Sequence, residues 1–124
     1  MNHFTPFTLY RGWPSGKNHV WSPFVIKVEA RLRFAGVRYI TDAGSTRSAP
    51  KGKIPYLQRG DESYSDSSLI ATELVELGVL PDINARLSPD MKAHDLALRA
   101  MLEDKLYFYH VCFPLALRVC QTPN

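Results

Sequence analysis

Apolar runs are short throughout this chain. None approaches the roughly 18–20 residues that a bilayer-spanning helix needs, so no membrane span is expected. The opening residues, Met1-Asn2-His3-Phe4-Thr5-Pro6, lack both a basic and an apolar stretch and do not read as a secretory signal. Cysteine is scarce: Cys112 and Cys120 stand eight apart, neither a Cys-x-x-Cys pair nor a metal box. Such thiols fit buried or tail positions in a reducing, cytoplasmic setting. The histidines, His3, His19, His94 and His110, have no metal-ligand spacing, and no metal is expected. Acidic residues are few in the first sixty positions, where ten Lys or Arg face only Glu29 and Asp42. The remainder reverses this, with ten acidic and five basic residues, leaving a net charge of +3. A basic first half suits an anionic ligand. Nucleic acid is the rival, but the basic residues are scattered and no nucleic-acid motif accompanies them, so none is expected as a partner.

With 124 residues, 45% of them apolar and 22% charged, the chain can bury the core of one domain, or of a small domain followed by part of a second. Phe7-Thr8-Leu9-Tyr10-Arg11 alternates and is rich in β-formers, which predicts a strand. Gly12 to Asn18 is turn chemistry. Ser22 followed by Pro23 starts a helix, with a hydroxyl cap and then proline at the first helical position. Val25, Val28, Leu32 and Ala35 form its apolar stripe, Glu29 and Arg33 can pair on another face, and Gly36 stops it. Val37 to Thr41 is a second strand and Asp42 to Gly52 a basic, small-residue loop. Ile54 to Arg59 and Ser63-Tyr64 read as a hairpin turned at Gly60-Asp61-Glu62. Asp66 caps a second helix with Leu69, Ile70, Leu74 and Leu77 on one side, ending at Gly78. After a linker at Pro81 to Leu87, Ser88-Pro89-Asp90 starts a long helix with Met91, His94, Leu98, Met101, Leu102 and Leu106 near helical spacing, which Pro114 should end.

The order β-α-β, loop, β-β-α predicts an α/β fold. A parallel pair and an antiparallel hairpin share a mixed four-stranded sheet with flanking helices, the thioredoxin-like arrangement. Three segments carry a resemblance: Ser22-Pro23-Phe24-Val25-Ile26-Lys27-Val28-Glu29 with Arg33 to Val37, Lys51-Gly52-Lys53-Ile54-Pro55-Tyr56, and Asp66-Ser67-Ser68-Leu69-Ile70. In this order they resemble the glutathione S-transferase superfamily, and within it the failed-axon-connections and metaxin-like branch. Met101 to Tyr107 is similar to the first helix of that branch's all-helical second domain. The resemblance covers roughly residues 7 to 110. It implies a thioredoxin-like N-terminal domain at 7–80 and a partial helical domain at 88–124.

The resemblance also implies roles. A cis Ile54-Pro55 peptide would turn the backbone of Ile54 toward the cysteinyl part of glutathione. Asp66-Ser67, at a helix start, would receive the γ-glutamyl end. Lys51 and Lys53 would meet the glycyl carboxylate. Ser22 would face the sulfur and, as the catalytic residue, donate to the thiolate and lower its pKa. Glutathione is then ligand or co-substrate, with weak or no thiol conjugation. A non-catalytic, metaxin-like adaptor is the alternative.

Plainer readings stand beside these. Ser22 and Asp66 are good helix caps in their own right. Asp66 also sets a carboxylate where a ligand carboxylate should dock, which weakens binding unless the Ser67 N–H and hydroxyl dominate. Lys51 and Lys53 also read as solvated loop charges, and Trp13 and Trp21 as walls of the site or as ordinary aromatics. Tyr107-Phe108-Tyr109 packs within a second domain or forms a dimer or partner surface. Past His110 the pattern of that domain is lost, and a truncated member is expected.

Overall fold

The computed structural model describes residues 6–12, 20 and 22–110. Trp13, Trp21, His3, His19, both cysteines and Pro114 lie outside them. The chain divides into two compact units, with the break between Asp82 and Ile83.

The first unit holds β1 (Phe7–Tyr10), α1 (Pro23–Phe34), β2 (Tyr39–Asp42), β3 (Tyr56–Arg59), β4 (Glu62–Ser65) and α2 (Ser67–Glu76). The strands lie in the order β2-β1-β3-β4. β1 runs parallel to β2 and antiparallel to β3, and β3 and β4 form the hairpin. This is the mixed, helix-flanked sheet that the element order predicts. Alternation sends Phe7, Leu9, Leu57 and Tyr64 to the face shared with Val28, Leu32, Ile70, Leu74 and Leu80, which together form the core.

Several boundaries and faces differ from the sequence expectation. β2 starts at Tyr39 rather than Val37, because the Val37 N–H is already used by the Leu32 carbonyl, 2.9 Å away, in closing α1. Gly36, at φ 67°, makes the turn that this closure requires. β3 starts at Tyr56 rather than Ile54, since Pro55 brings no N–H to a ladder. α2 buries Ser67, Ile70 and Leu74, while Leu69 and Leu77 are 46% and 56% exposed. Leu69 lies a hundred degrees around the helix from Ile70. Leu77 is displaced from the core by Leu80, which returns past Gly78 and donates its N–H to the Leu74 carbonyl at 3.0 Å.

In the second unit Ser88 caps α3 (Pro89–Ala100), accepting from the Met91 N–H at 3.3 Å. Asp95 on this helix accepts from Asn84 at 3.1 Å and pairs with Arg99 at 2.7 Å. The helix then widens into π turns over Met101–Leu106 before resuming at Tyr107. Nothing in the spacing of its apolar residues announces that change. Leu96, Leu98, Met101, Leu102, Leu106, Phe108 and Tyr109 are all more than half exposed.

Candidate functional site

Strand register brings the predicted site segments to one end of the sheet. Tyr10, Tyr56 and Ser65 stand side by side across β1, β3 and β4. One step beyond that row lie Arg11, Pro55 and Asp66. The peptide Ile54-Pro55 is cis. Pro55 is fully buried, and Ile54 lies against the backbone of Gly12, where an added Cβ would meet Ile54 Cδ1 at 3.0 Å.

Ser22 and Asp66 cap the two helices that begin at this end. Ser22 Oγ accepts from the Val25 N–H at 3.4 Å. A hydroxyl that accepts still has its own proton to donate, so capping leaves a donor for a ligand atom. Asp66 Oδ1 accepts from the Ser68 N–H at 2.9 Å. Asp66 also holds φ at 73°, a positive value that non-glycine residues seldom adopt. Ser67 is buried behind it. Lys51 and Lys53 are exposed on the loop that leads into Pro55.

A side chain to which the sequence expectation assigns no role ties the two helix starts together. Lys27, in the second turn of α1, donates from Nζ to Ser68 Oγ in the first turn of α2, at 2.9 Å across 41 residues. The N-terminal halves of α1 and α2 are therefore neighbours, and both helix dipoles present their positive ends there.

A buried charge network lies along α1 as well. Arg11 is 4% exposed and pairs with Glu29, 7% exposed, at 3.4 Å between Nη2 and Oε2. The Tyr39 hydroxyl donates to Glu29 Oε1 at 3.3 Å and accepts from Arg33 Nε at 3.0 Å. That bond, Tyr39 itself and Glu29 hold the exposed Arg33 guanidinium above its ordinary pKa. Arg33 reaches Glu29 at 3.8 Å, so the expected i,i+4 pair exists but is the longer of two. Glu29 is expected with Arg33 on a face apart from the apolar stripe, and the structure instead buries it within that stripe. Yet Val25, Val28, Glu29 and Leu32 follow the i, i+3, i+4, i+7 spacing of a buried stripe, a signal that was available.

On the opposite face of the sheet the Tyr10 and Tyr56 rings stack at 4.2 Å. Tyr10 donates to Gln58 Oε1 at 3.2 Å, and burial, helped by Tyr56 and Asp42, raises its pKa. Its phenol therefore stays protonated near neutrality. Among the described residues no group of His, Cys, Asp or Glu could hold a metal, and no helix is long and apolar enough to cross a membrane.

Residues 23–116 match the family model of the glutathione S-transferase N-terminal domain. That span contains Lys51, Lys53, Ile54, Pro55, Asp66 and Ser67 and begins one residue after Ser22. No solved structure matches the chain.

Proposed function

Because this chain belongs to the glutathione S-transferase N-terminal domain family, we propose that it binds glutathione at the sheet end where the Ile54-Pro55 peptide and the starts of α1 and α2 meet. The convergence of those three segments is the observation that carries the reading. The Ile54 backbone receives the cysteinyl part of the tripeptide. The N–H groups at Asp66-Ser67-Ser68 receive the γ-glutamyl carboxylate, and Lys51 and Lys53 meet the glycyl carboxylate. Reduced glutathione is a cytosolic thiol, which fits a cytoplasmic setting.

Ser22 acts on the sulfur. Its hydroxyl proton, not used in capping, points to a thiolate held at the positive end of α1, and that stabilises the anion over the thiol. The thiolate then attacks an electrophilic carbon, forming a carbon–sulfur bond as the leaving group departs with its electron pair. Turnover is weak, since one loosely capped hydroxyl supplies the activation and Asp66 opposes the ligand's carboxylate.

Conjugation of glutathione to an activated aryl halide tests this reading. Ser22→Ala should lower the rate at neutral pH, with the loss shrinking as pH approaches the free thiol pKa. An unchanged rate would return Ser22 to capping alone. The metaxin-like adaptor is the second reading, favoured by the exposed Leu98, Met101, Leu102 and Leu106. It predicts saturable glutathione binding or none, but no conjugation in either case.

A further inference from the structure

In the order β2-β1-β3-β4 the strand β2 is terminal, and among the described residues no strand lies beyond it. Asp42 turns its backbone toward β1, where its carbonyl accepts from the Arg11 N–H at 2.9 Å. Successive residues of a strand send their N–H and C=O to opposite sides, so Ile40 shares that direction while Tyr39 and Thr41 point theirs outward. An edge of this kind templates another strand unless charge, proline or a bulge blocks it. Tyr39-Ile40-Thr41 holds neither charge nor proline and is rich in β-formers. Ile40, paired with Thr8 in the register of β1 and β2, is 55% exposed on the sheet face away from the core.

The charges that flank this stretch decide what fits it. Arg38 stands before it and Asp42 at its end, and both are exposed. An antiparallel copy centred on Ile40 sets each Arg38 opposite an Asp42, with Ile40 against Ile40. Tyr39 and Thr41 then face each other as the pairs that exchange backbone hydrogen bonds, which is what their outward groups require. Ile40 and the two ion pairs fall at the other positions, where side chains approach most closely. All of them share one face, because 38, 40 and 42 alternate with 39 and 41. The outer strand on the other side of the sheet, β4, lacks this complementarity. Self-pairing centred on Tyr64 would set Glu62 against Asp66, acid against acid.

We propose that the β2 edge is a homodimer interface: a second copy of this chain joins antiparallel across Ile40, and the two four-stranded sheets become one. The twofold axis passes between the two Ile40 side chains, so the contact is closed and does not propagate from this edge. A four-residue strand makes a small contact, and the dimer therefore dissociates on dilution. The inference is independent of the glutathione reading.

Sedimentation velocity of the full chain over a range of concentrations tests it. The native chain should pass from monomer to dimer as concentration rises. Arg38→Asp alone makes both cross-strand charge pairs acid against acid, and Asp42→Arg alone makes them base against base. Each variant should raise the dissociation constant by about tenfold or more. An equimolar mixture of the two variants should recover the native association, because each acidic edge then faces a basic one. A native chain that stays monomeric at its highest soluble concentration overturns the proposal. So does association that neither reversal weakens, or a mixture no tighter than its components, since contact then lies elsewhere. Should a variant fold poorly, hydrogen exchange on the native chain decides. The Tyr39 and Thr41 amides should exchange more slowly as concentration rises, and exchange there that ignores concentration overturns the interface.

Discussion

Four side chains concentrate the chemistry of the first unit and make three separable predictions. Asp66 combines a cap with an unfavourable φ of 73°. Asp66→Asn keeps the cap and carries the same backbone strain, so chemical denaturation should show a change of only a few tenths of a kcal/mol. Asp66→Ala loses the cap and keeps the strain, and should cost about 1–2 kcal/mol. Glu29 neutralises the buried Arg11, so Glu29→Leu should cost about 3 kcal/mol or more, well beyond the value of an exposed ion pair. The phenols of Tyr10 and Tyr64 are both held above the ordinary tyrosine value, in each case chiefly by burial, and for Tyr64 also by its bond to Glu62. A group that binds its proton more tightly when folded contributes fully below its unfolded pKa of about 10 and loses that contribution as pH rises through the folded value. Stability from urea melts should therefore decline as pH climbs above about 10, and Tyr10→Phe should flatten part of that decline. At this scale the sequence was partly legible. Ser22, Pro55 and Asp66 announce themselves through local chemistry, a cap or a proline. Lys27 could not, because its partner lies 41 residues away and only packing brings them together.

Among the elements, α1 shows how a correct stripe can be drawn too narrowly. Periodicity marks Val25, Val28 and Leu32 as buried, whereas the charge of Glu29 argues for a solvent face that its position in the helix does not give it. α2 shows the opposite error, a stripe drawn too wide. Leu69 and Leu77 look like core by composition, but the geometry of ten helical residues gives the face to Ser67, Ile70 and Leu74. The difference is measurable: Leu74→Ala should cost about 2–5 kcal/mol, whereas Leu77→Ala should stay within about 0.5 kcal/mol. Leu80→Ala should resemble Leu74→Ala more than Leu77→Ala, because Leu80 occupies the place that Leu77 was expected to fill. The π turns at Met101–Leu106 had no legible cause. Neither proline nor glycine interrupts that stretch, and the apolar spacing there suits an ordinary helix.

For the whole molecule, the order of strands and helices carried most of the information. A β-α-β unit followed by a hairpin leaves few ways to build one sheet, and the observed order β2-β1-β3-β4 is the one expected of the thioredoxin-like arrangement. That topology converts sequence separation into proximity. Strand register sets the Ile54-Pro55 peptide and Asp66 beside the end of β1, and Lys27 draws the start of α1 to the start of α2. The family match makes glutathione the ligand proposed for this convergence. What the order of elements could not reveal was the bond from Lys27 to Ser68, since that depends on side chains from different elements. The most direct measurement is a titration of the isotopically labelled chain with reduced glutathione, followed by amide chemical shifts. Saturable shifts concentrated at Ser22, Lys27, Ile54, Ser67 and Ser68 are the predicted result. Saturable shifts clustered elsewhere, or none at millimolar ligand, would contradict a glutathione site at this end of the sheet.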